Sequence, residues 1–324
     1  MKAIVYEKYG PPEVLQLTEV TKPAPGDNEV LVRVHAVSLN ASDREFLTAT
    51  PRYVRLWGPL KPKCKILGSD IAGRVEAVGR NVTQFQPGDD VFGDLLMSWG
   101  GFAEYVCAPE NRLMLKPAGM TFEQAAAIPQ AAIVALQGLR DKGQIKPGQK
   151  VLINGAGGGA GTFALQIAKL FGAEVTGVDS TEKLDMMRSI GADHVIDYTK
   201  EDFIENGPRY DLILNFVAYR SIFDWNRALN PKGRYVLVGG SMSRILQTLL
   251  LGPLISMFGN RKLGILGYKP NKQDMAYLLE LFEAGKVLPV IDRRYPLDET
   301  ADALRYLGEG HARGKVVITV EHND

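Results

Sequence analysis

Asn154-Gly155-Ala156-Gly157-Gly158-Gly159-Ala160-Gly161-Thr162 is the stretch on which the reading of this chain turns. The apolar run Val151–Ile153 leads into it, and a helical pattern, Ala160–Phe171, leads out and closes on Gly172. Strand, glycine turn and helix together form the setting of a dinucleotide-binding fingerprint. Gly155, Gly158 and Gly161 recur at intervals of three. Such a site has three demands: a sharp turn, a backbone that approaches a pyrophosphate with no Cβ in the way, and close packing of helix on strand. Amide N–H groups at the helix start then face phosphate charge. A glycine run in isolation is equally a flexible connection that binds nothing. Here the flanks decide. Val175–Val178, Val195–Ile196, Leu212–Val217 and Tyr235–Val238 read as further apolar strands, with helical segments such as Thr181–Ile190 between them. That rhythm predicts an α/β unit built on a doubly wound parallel sheet, covered on both faces.

The next strand end carries Asp179-Ser180-Thr181-Glu182-Lys183. Asp179 lies where an acid binds a ribose 2′-hydroxyl, which favours NAD. Ser180 and Lys183 suit a 2′-phosphate instead. Asp179 as a helix cap with Glu182 is a third reading, compatible with either. These residues leave NAD and NADP open.

Upstream, residues 1–110 read as β-rich, with short runs at Met1–Tyr6, Leu15–Glu19, Val30–Val37, Ile71–Val78 and Gly101–Cys107. Turns at Tyr9-Gly10-Pro11-Pro12, Pro23–Asp27 and Gln86–Asp90 separate them, which predicts a barrel or sandwich with antiparallel pairing. Thr121–Lys142 reads as one helix, with Thr121 and Gln124 as a capping box. Gln273–Ala284 and Ala301–Leu307 are further helices, and Lys315–Val320 is a last strand expected to return to the N-terminal β unit. The expected division is 1–120 with 290–324, and 121–289.

Composition narrows the function. The 324 residues carry 38 Lys and Arg against 37 Asp and Glu, so no global field attracts nucleic acid. Cys64 and Cys107 make neither a disulfide framework nor a four-thiolate zinc site. The N-terminus shows no apolar signal core, and the longest apolar region, Ile245–Phe258, is too short and too interrupted to span a bilayer. A cytoplasmic protein is the expectation. The four His lack metal-ligand spacing, and no Gly-x-Ser-x-Gly elbow supports a serine hydrolase.

Several blocks, in order, carry a resemblance. They are Leu39-Asn40-Ala41-Ser42-Asp43, Leu67-Gly68-Ser69-Asp70-Ile71-Ala72-Gly73 running on to Gly79, Pro87–Gly93, Gly100–Tyr105, the glycine turn, Gly191–Tyr198 and His311–Val317. Over nearly its whole length the chain resembles the zinc-free medium-chain dehydrogenases/reductases of the quinone oxidoreductase type, the zeta-crystallin-like family. The resemblance implies a GroES-like β-barrel catalytic domain beside a Rossmann domain. It implies hydride transfer from NADPH to a quinone or an α,β-unsaturated carbonyl, with NADH possible. Ser180, Lys183 and Tyr198 match positions at the adenosine 2′-phosphate, and Asp179 dissents. Homodimers through the cofactor domains are common in the family. Gly68-Ser69-Asp70 stands where zinc-dependent relatives have Gly-His-Glu, and Asn40–Asp43 lacks the early Cys. No metal site is expected.

Conjugate reduction without a metal needs positioning, a donor for the developing enolate oxygen and a proton source. Asn40 is placed at the nicotinamide–substrate junction, where its amide would donate to a carbonyl; its other reading is a turn residue. Tyr53 is a candidate proton donor, or a packing residue. Gly155, Gly158, Gly159, Ala160 and Gly161 are expected to bind the cofactor, with Val217, Val238, Gly239 and Gly240 lining its nicotinamide side. Arg313 and Lys315 are candidates for phosphate or carboxamide, or solvated residues at a strand start. Arg244–Lys262 is too apolar for one buried helix face. It reads first as a lid over an apolar substrate, second as a dimer contact, and third as a peripheral membrane contact. An enoyl-thioester reductase and a non-catalytic NADPH-binding structural protein are the alternatives.

Overall fold

The computed structural model describes residues 1–205 and 207–322. Met1–Gln130 with Ile291–Asp324 form one compact unit, and Ala131–Val290 form a second. In chain order the first unit contributes β1 (Lys2–Val5), β2 (Gln16–Glu19), β3 (Glu29–Ser38), α1 (Ala41–Thr48), β4 (Asp70–Val78), β5 (Asp90–Asp94), β6 (Tyr105–Pro109), β7 (Leu113–Leu115) and α2 (Phe122–Ala127). Proline- and glycine-rich turns cut this sequence into short strands. Neighbours in the sheet pair antiparallel around a core of Val30, Val32, Val34, Ile71, Phe102 and Val316.

The helix expected over Thr121–Lys142 is interrupted. Thr121 does cap α2, with Gln124 completing the box at 3.2 and 3.0 Å. Pro129 then opens a new helix, α3 (Pro129–Gln137), because it lacks the N–H that would continue α2. A wide π turn, Gly138–Lys142, ends the segment, closed by the Gly143 N–H on the Gly138 carbonyl.

The second unit runs β8 (Lys150–Asn154), α4 (Gly159–Leu170), β9 (Glu174–Asp179), α5 (Leu184–Ser189), β10 (His194–Asp197), β11 (Tyr210–Asn215), α6 (Ile222–Arg227), β12 (Leu229–Leu237), α7 (Met242–Phe258), β13 (Lys262–Ile265) and α8 (Lys272–Glu283). The helix expected from Thr181 begins with a 3-10 turn, Thr181–Lys183, before α5. The six strands are all parallel, in the order β10-β9-β8-β11-β12-β13. This is the doubly wound order, in which the chain reverses direction across the sheet between β8 and β11. The centres of β8, β9 and β11 are buried on successive residues, as two covered faces require.

The chain then returns to the first unit with β14 (Ile291–Pro296), α9 (Thr300–Gly308) and β15 (Lys315–Thr319). β15 lies parallel to β14 and antiparallel to β3, so the last strand does join the N-terminal β unit. The resulting sheet is ordered β14-β15-β3-β4-β5-β7, with β6 also on β3. This pairing brings Lys315 next to Leu39 and Asn40.

Candidate functional site

At the carboxyl ends of the parallel strands the second unit assembles a backbone cradle. Gly155 follows β8 at φ +82°, a left-handed conformation that suits glycine. The N–H groups of Gly155 and Ala156 both donate to the Val178 carbonyl, tying the turn to β9. A Cβ on Gly161 would lie 2.1 Å from the Gly155 carbonyl oxygen, so only glycine lets α4 pack this close to the turn. Gly158 differs: a Cβ there would meet only the Gly155 oxygen, at 3.5 Å. Gly158, Gly159 and Ala160 are half-exposed at the start of α4. The first amides of a helix have no intrahelical acceptor. The loop is therefore open where an anion would rest and filled where the helix must pack, which fits a dinucleotide diphosphate.

Asp179 ends β9 and is nearly buried, with both oxygens engaged. Oδ2 accepts from the Gly157 N–H at 2.9 Å and Oδ1 from the Ser180 N–H at 2.9 Å. Lys183 Nζ lies 3.1 Å from Oδ1, and both side chains are more than nine-tenths buried. The carboxylate thus closes the glycine turn from below, and its charge is balanced locally. Ser180 precedes the 3-10 turn as its N-terminal flanking residue. Tyr198 follows β10, is exposed, and donates its backbone N–H to the Asp179 carbonyl at 3.3 Å.

Two further strand ends complete this rim. Asn154 Nδ2 donates to the Val217 carbonyl at 2.8 Å and to Asn215 Oδ1 at 2.8 Å, so β8 holds the loop after β11. Val238 donates its N–H to the Asn215 carbonyl. Gly240, at φ +141°, bridges to Ala218, and a Cβ there would stand 2.7 Å from the Ala218 Cβ. Gly239 has room around it, with the Phe216 oxygen 3.6 Å from its notional Cβ. The cofactor positions expected in this unit, from Gly155 to Gly240, therefore gather at one end of one sheet. A separate pocket of about 590 Å³, lined by Lys150, Glu174, Thr176, His194 and Tyr210 among others, lies at the opposite, amino ends of these strands. That is the end away from which open α/β sheets bind ligands.

The first unit holds a different kind of polar centre. Asn40 caps α1 and is more than nine-tenths buried. Lys315 Nζ donates to Asn40 Oδ1 at 2.6 Å and to the Leu39 carbonyl at 2.9 Å. Asn40 Nδ2 donates to Asp70 Oδ2 at 2.9 Å and to Ser69 Oγ at 3.3 Å. An ammonium only donates, so Lys315 fixes which way the amide points. Both Asn40 Nδ2 N–H bonds are thereby engaged, and its side chain also closes the capping box at the start of α1. The sequence led us to expect that this amide donates to a substrate carbonyl; in the structure its N–H bonds are committed to Asp70 and Ser69.

Carboxylates surround this amide. Asp43 accepts from the Asn40 N–H at 2.7 Å and the Gly68 N–H at 3.1 Å, and burial pushes its carboxyl up to about 7. Burial also raises Asp70 well above the carboxylate range, with Asp94 adding to the effect, although Lys315, Asn40 and the Gln130 N–H oppose it. Lys315 is 2% exposed, and burial pulls its ammonium down against the attraction of Asp70, Asp43 and Asp94. Sequence reasoning placed Lys315 near phosphate or carboxamide; the fold encloses it beside Asn40. Asp43, Ser69, Asp70 and Asp94 were not singled out as site residues, although the first three stand in the sequence blocks that carry the family resemblance. Arg313 is exposed, its backbone N–H on Asp292. Tyr53 sits in the 3-10 turn Arg52–Trp57, 38% exposed, edge-on to Trp57, with Phe46 and Trp99 next in the aromatic row.

Two family models match the chain: "Alcohol dehydrogenase GroES-like domain" over residues 26–118 and "Zinc-binding dehydrogenase" over 190–318. The residues at Asn40, Ser69 and Asp70 do not fit zinc. Two are neutral, the third is bonded to an amide, and the Lys315 ammonium supplies the local positive charge. Among the described residues no three His, Cys, Asp or Glu group as a metal site. The chain is 34% identical to 2-methylene-furan-3-one reductase of Solanum lycopersicum, covering 98% of this chain and 79% of that protein. It is 31% identical to the chloroplastic NADPH-dependent alkenal/one oxidoreductase of Arabidopsis thaliana, with the same two shares. The solved quinone oxidoreductase of Coxiella burnetii superimposes with a TM-score of 0.87 at 30% identity, covering 99% of each chain. Fold, cradle and relatives agree, and the chain belongs to the quinone oxidoreductase family of the medium-chain dehydrogenases/reductases.

Proposed function

We propose that this protein is an NADPH-dependent reductase of quinones or α,β-unsaturated carbonyls. One observation carries the reading. The open glycine cradle is bordered by an acid, Asp179, whose charge Lys183 balances and whose oxygens are turned onto Gly157 and Ser180. An uncompensated carboxylate at this position would repel a 2′-phosphate. A neutralised one does not, and Ser180 and Tyr198 stand beside it as phosphate partners, with Lys183 enclosed as its counter-ion. The two plant relatives are named for reduction of an enone and for NADPH-dependent reduction of alkenals and alkenones, in keeping with this choice.

The bound coenzyme supplies hydride. The amides at Gly159–Gly161 would hold its diphosphate, and Val217, Val238, Gly239 and Gly240 would leave space for its nicotinamide half. Asn40 is the residue assigned to the nicotinamide–substrate junction. Lys315, Asp70 and Ser69 hold its amide in one orientation. Tyr53 is the proton donor in this scheme, and Arg313 an exposed phosphate or carboxamide partner. The β unit, expected over 1–120 and 290–324, serves as the catalytic domain, and 121–289 as the cofactor domain. A homodimer formed through the cofactor units is part of this reading. Cys64 and Cys107 are both unpaired, in keeping with a cytoplasmic protein.

Titration with NADPH and NADH tests the cofactor assignment, followed by turnover on a panel of quinones, enones and an enoyl thioester. NADPH should bind at least about tenfold tighter, equal to one strong charge-assisted contact. Asn40→Ala should lower kcat about a hundredfold with NADPH affinity kept, as loss of orientation predicts. Tighter NADH binding, or bound NADPH with no turnover across the panel, would overturn the reading.

A further inference from the structure

We infer that α7 and its basic flanks form a docking surface for an anionic lipid bilayer. This inference is independent of the hydride-transfer reading. α7 seats Thr248 and Gly252 against the sheet. A Cβ on Gly252 would lie 2.9 Å from the Leu263 carbonyl, so the helix lies tightly on β13. Ile245, Leu251 and Ile255 pack on the same core. The outward face is apolar too. Leu246, Leu250, Leu254, Met257 and Phe258 follow one another at helical spacing, and Leu250 is 69% and Phe258 84% exposed. A contiguous exposed apolar stripe on a soluble unit marks a surface that meets a partner.

Charge identifies the partner. Between Trp225 and Gln273 the chain has eight Lys and Arg and no Asp or Glu. Four of these cations are bonded to neutral oxygens. Arg244 holds the Tyr219 carbonyl and Gln247, Arg261 the Asn230 carbonyl, Lys262 the Ser256 carbonyl, and Arg234 the Gln144 side chain. These bonds place the charges without neutralising them. Arg244 stands at the first turn of α7, and Arg261 and Lys262 stand just past Phe258. The nearest acid in the chain before this stretch, Asp224, is already paired with Arg227.

A second copy of the chain fits this face poorly. A twofold contact sets a patch against itself, so cations would meet cations with no acid to answer them. An anionic bilayer supplies hydrocarbon for the stripe and negative charge for its two ends. Among the described residues no helix is long and apolar enough to cross a membrane, so the contact is one of lying in the interface.

Flotation of the full-length protein with vesicles of phosphatidylcholine alone, or mixed with phosphatidylglycerol, tests the inference. Binding should require phosphatidylglycerol and weaken as salt rises. Arg261→Gln with Lys262→Gln should reduce partitioning about 25-fold, roughly fivefold for each basic residue at the surface. Met257→Ser with Phe258→Ser should reduce it at least as much, with thermal unfolding and turnover of a water-soluble quinone unchanged. Absence of flotation with anionic vesicles overturns the inference, as does binding indifferent to the charge substitutions. If the Met257/Phe258 variant turns a dimer into a monomer by sedimentation while flotation is unaltered, the stripe belongs to a second copy. If it shifts the quinone KM in lipid-free buffer, the stripe covers substrate. Either result also overturns the docking surface.

Discussion

Both units of this protein bury a lysine among acidic groups, and the two arrangements are made in opposite ways. Asp179 and Lys183 are four residues apart, joined by a 3-10 turn, and hold the underside of a glycine loop. Lys315 is brought to Asn40 and Asp70 from the far end of the chain by pairing of β15 with β3. The local pair leaves its carboxylate with two backbone N–H partners even without the lysine. The long-range centre has one ammonium among Asp43, Asp70 and Asp94. The first is a brace, whereas the second depends on a single cation.

Lysine removal separates the two most strongly. Lys315→Met should cost about 3–5 kcal/mol, the range for leaving buried charge without its compensating partner, read as a lower urea midpoint, and Lys315→Arg should recover part of it. Lys183→Met should cost no more than about 1–2 kcal/mol, because the amides of Gly157 and Ser180 remain. Its main effect should be on NADPH affinity, with NADH affinity changing much less. Equal stability losses would erase the distinction.

Two glycines sharpen the description of the brace. Gly161→Ala drives a Cβ into the Gly155 carbonyl and should destabilise the fold by about 1–3 kcal/mol. Gly158→Ala meets no such obstacle and should leave thermal unfolding almost unchanged, while weakening NADPH at least about tenfold by intruding on the cradle. Isothermal titration beside calorimetric unfolding checks both.

The smallest effect concerns pH in the β unit. Burial, with His322, Arg33 and Arg74 nearby, holds His35 down at about 4. The unfolded chain then binds more protons than the folded one between that value and the ordinary histidine pKa of about 6.5. The contribution of His35 to stability is complete above the upper limit and is lost as pH falls through the lower one. His35→Gln should flatten the rise of Tm over this window and leave the alkaline side alone.

Much of the cofactor unit was legible because its information is local. The glycine turn, the acid after β9 and the apolar strands each announce themselves within a dozen residues. Misreadings occurred where one residue overrides a pattern. Pro129 broke a helix that the alanine-rich stretch Thr121–Lys142 suggested. Lys315 read as a phosphate or carboxamide partner, or a solvated residue at a strand start, because its immediate neighbours say nothing about Asn40. Asn40 itself was found through resemblance, but its bonding was not, since the direction of its amide depends on which donors and acceptors the sheet delivers.

The chain's own residues determined the two architectures: turn chemistry divides one part into short strands, and the period of apolar residues alternates strand with helix in the other. They also determined where a diphosphate could approach bare backbone. Tertiary structure alone decided that Asn40 accepts from Lys315, that Lys315 is enclosed, and that the stripe on α7 faces outward. Each of these depends on partners distant in sequence or on the face a helix is free to bury, and hydrogen-bond direction and exposure exist only once those partners are in place.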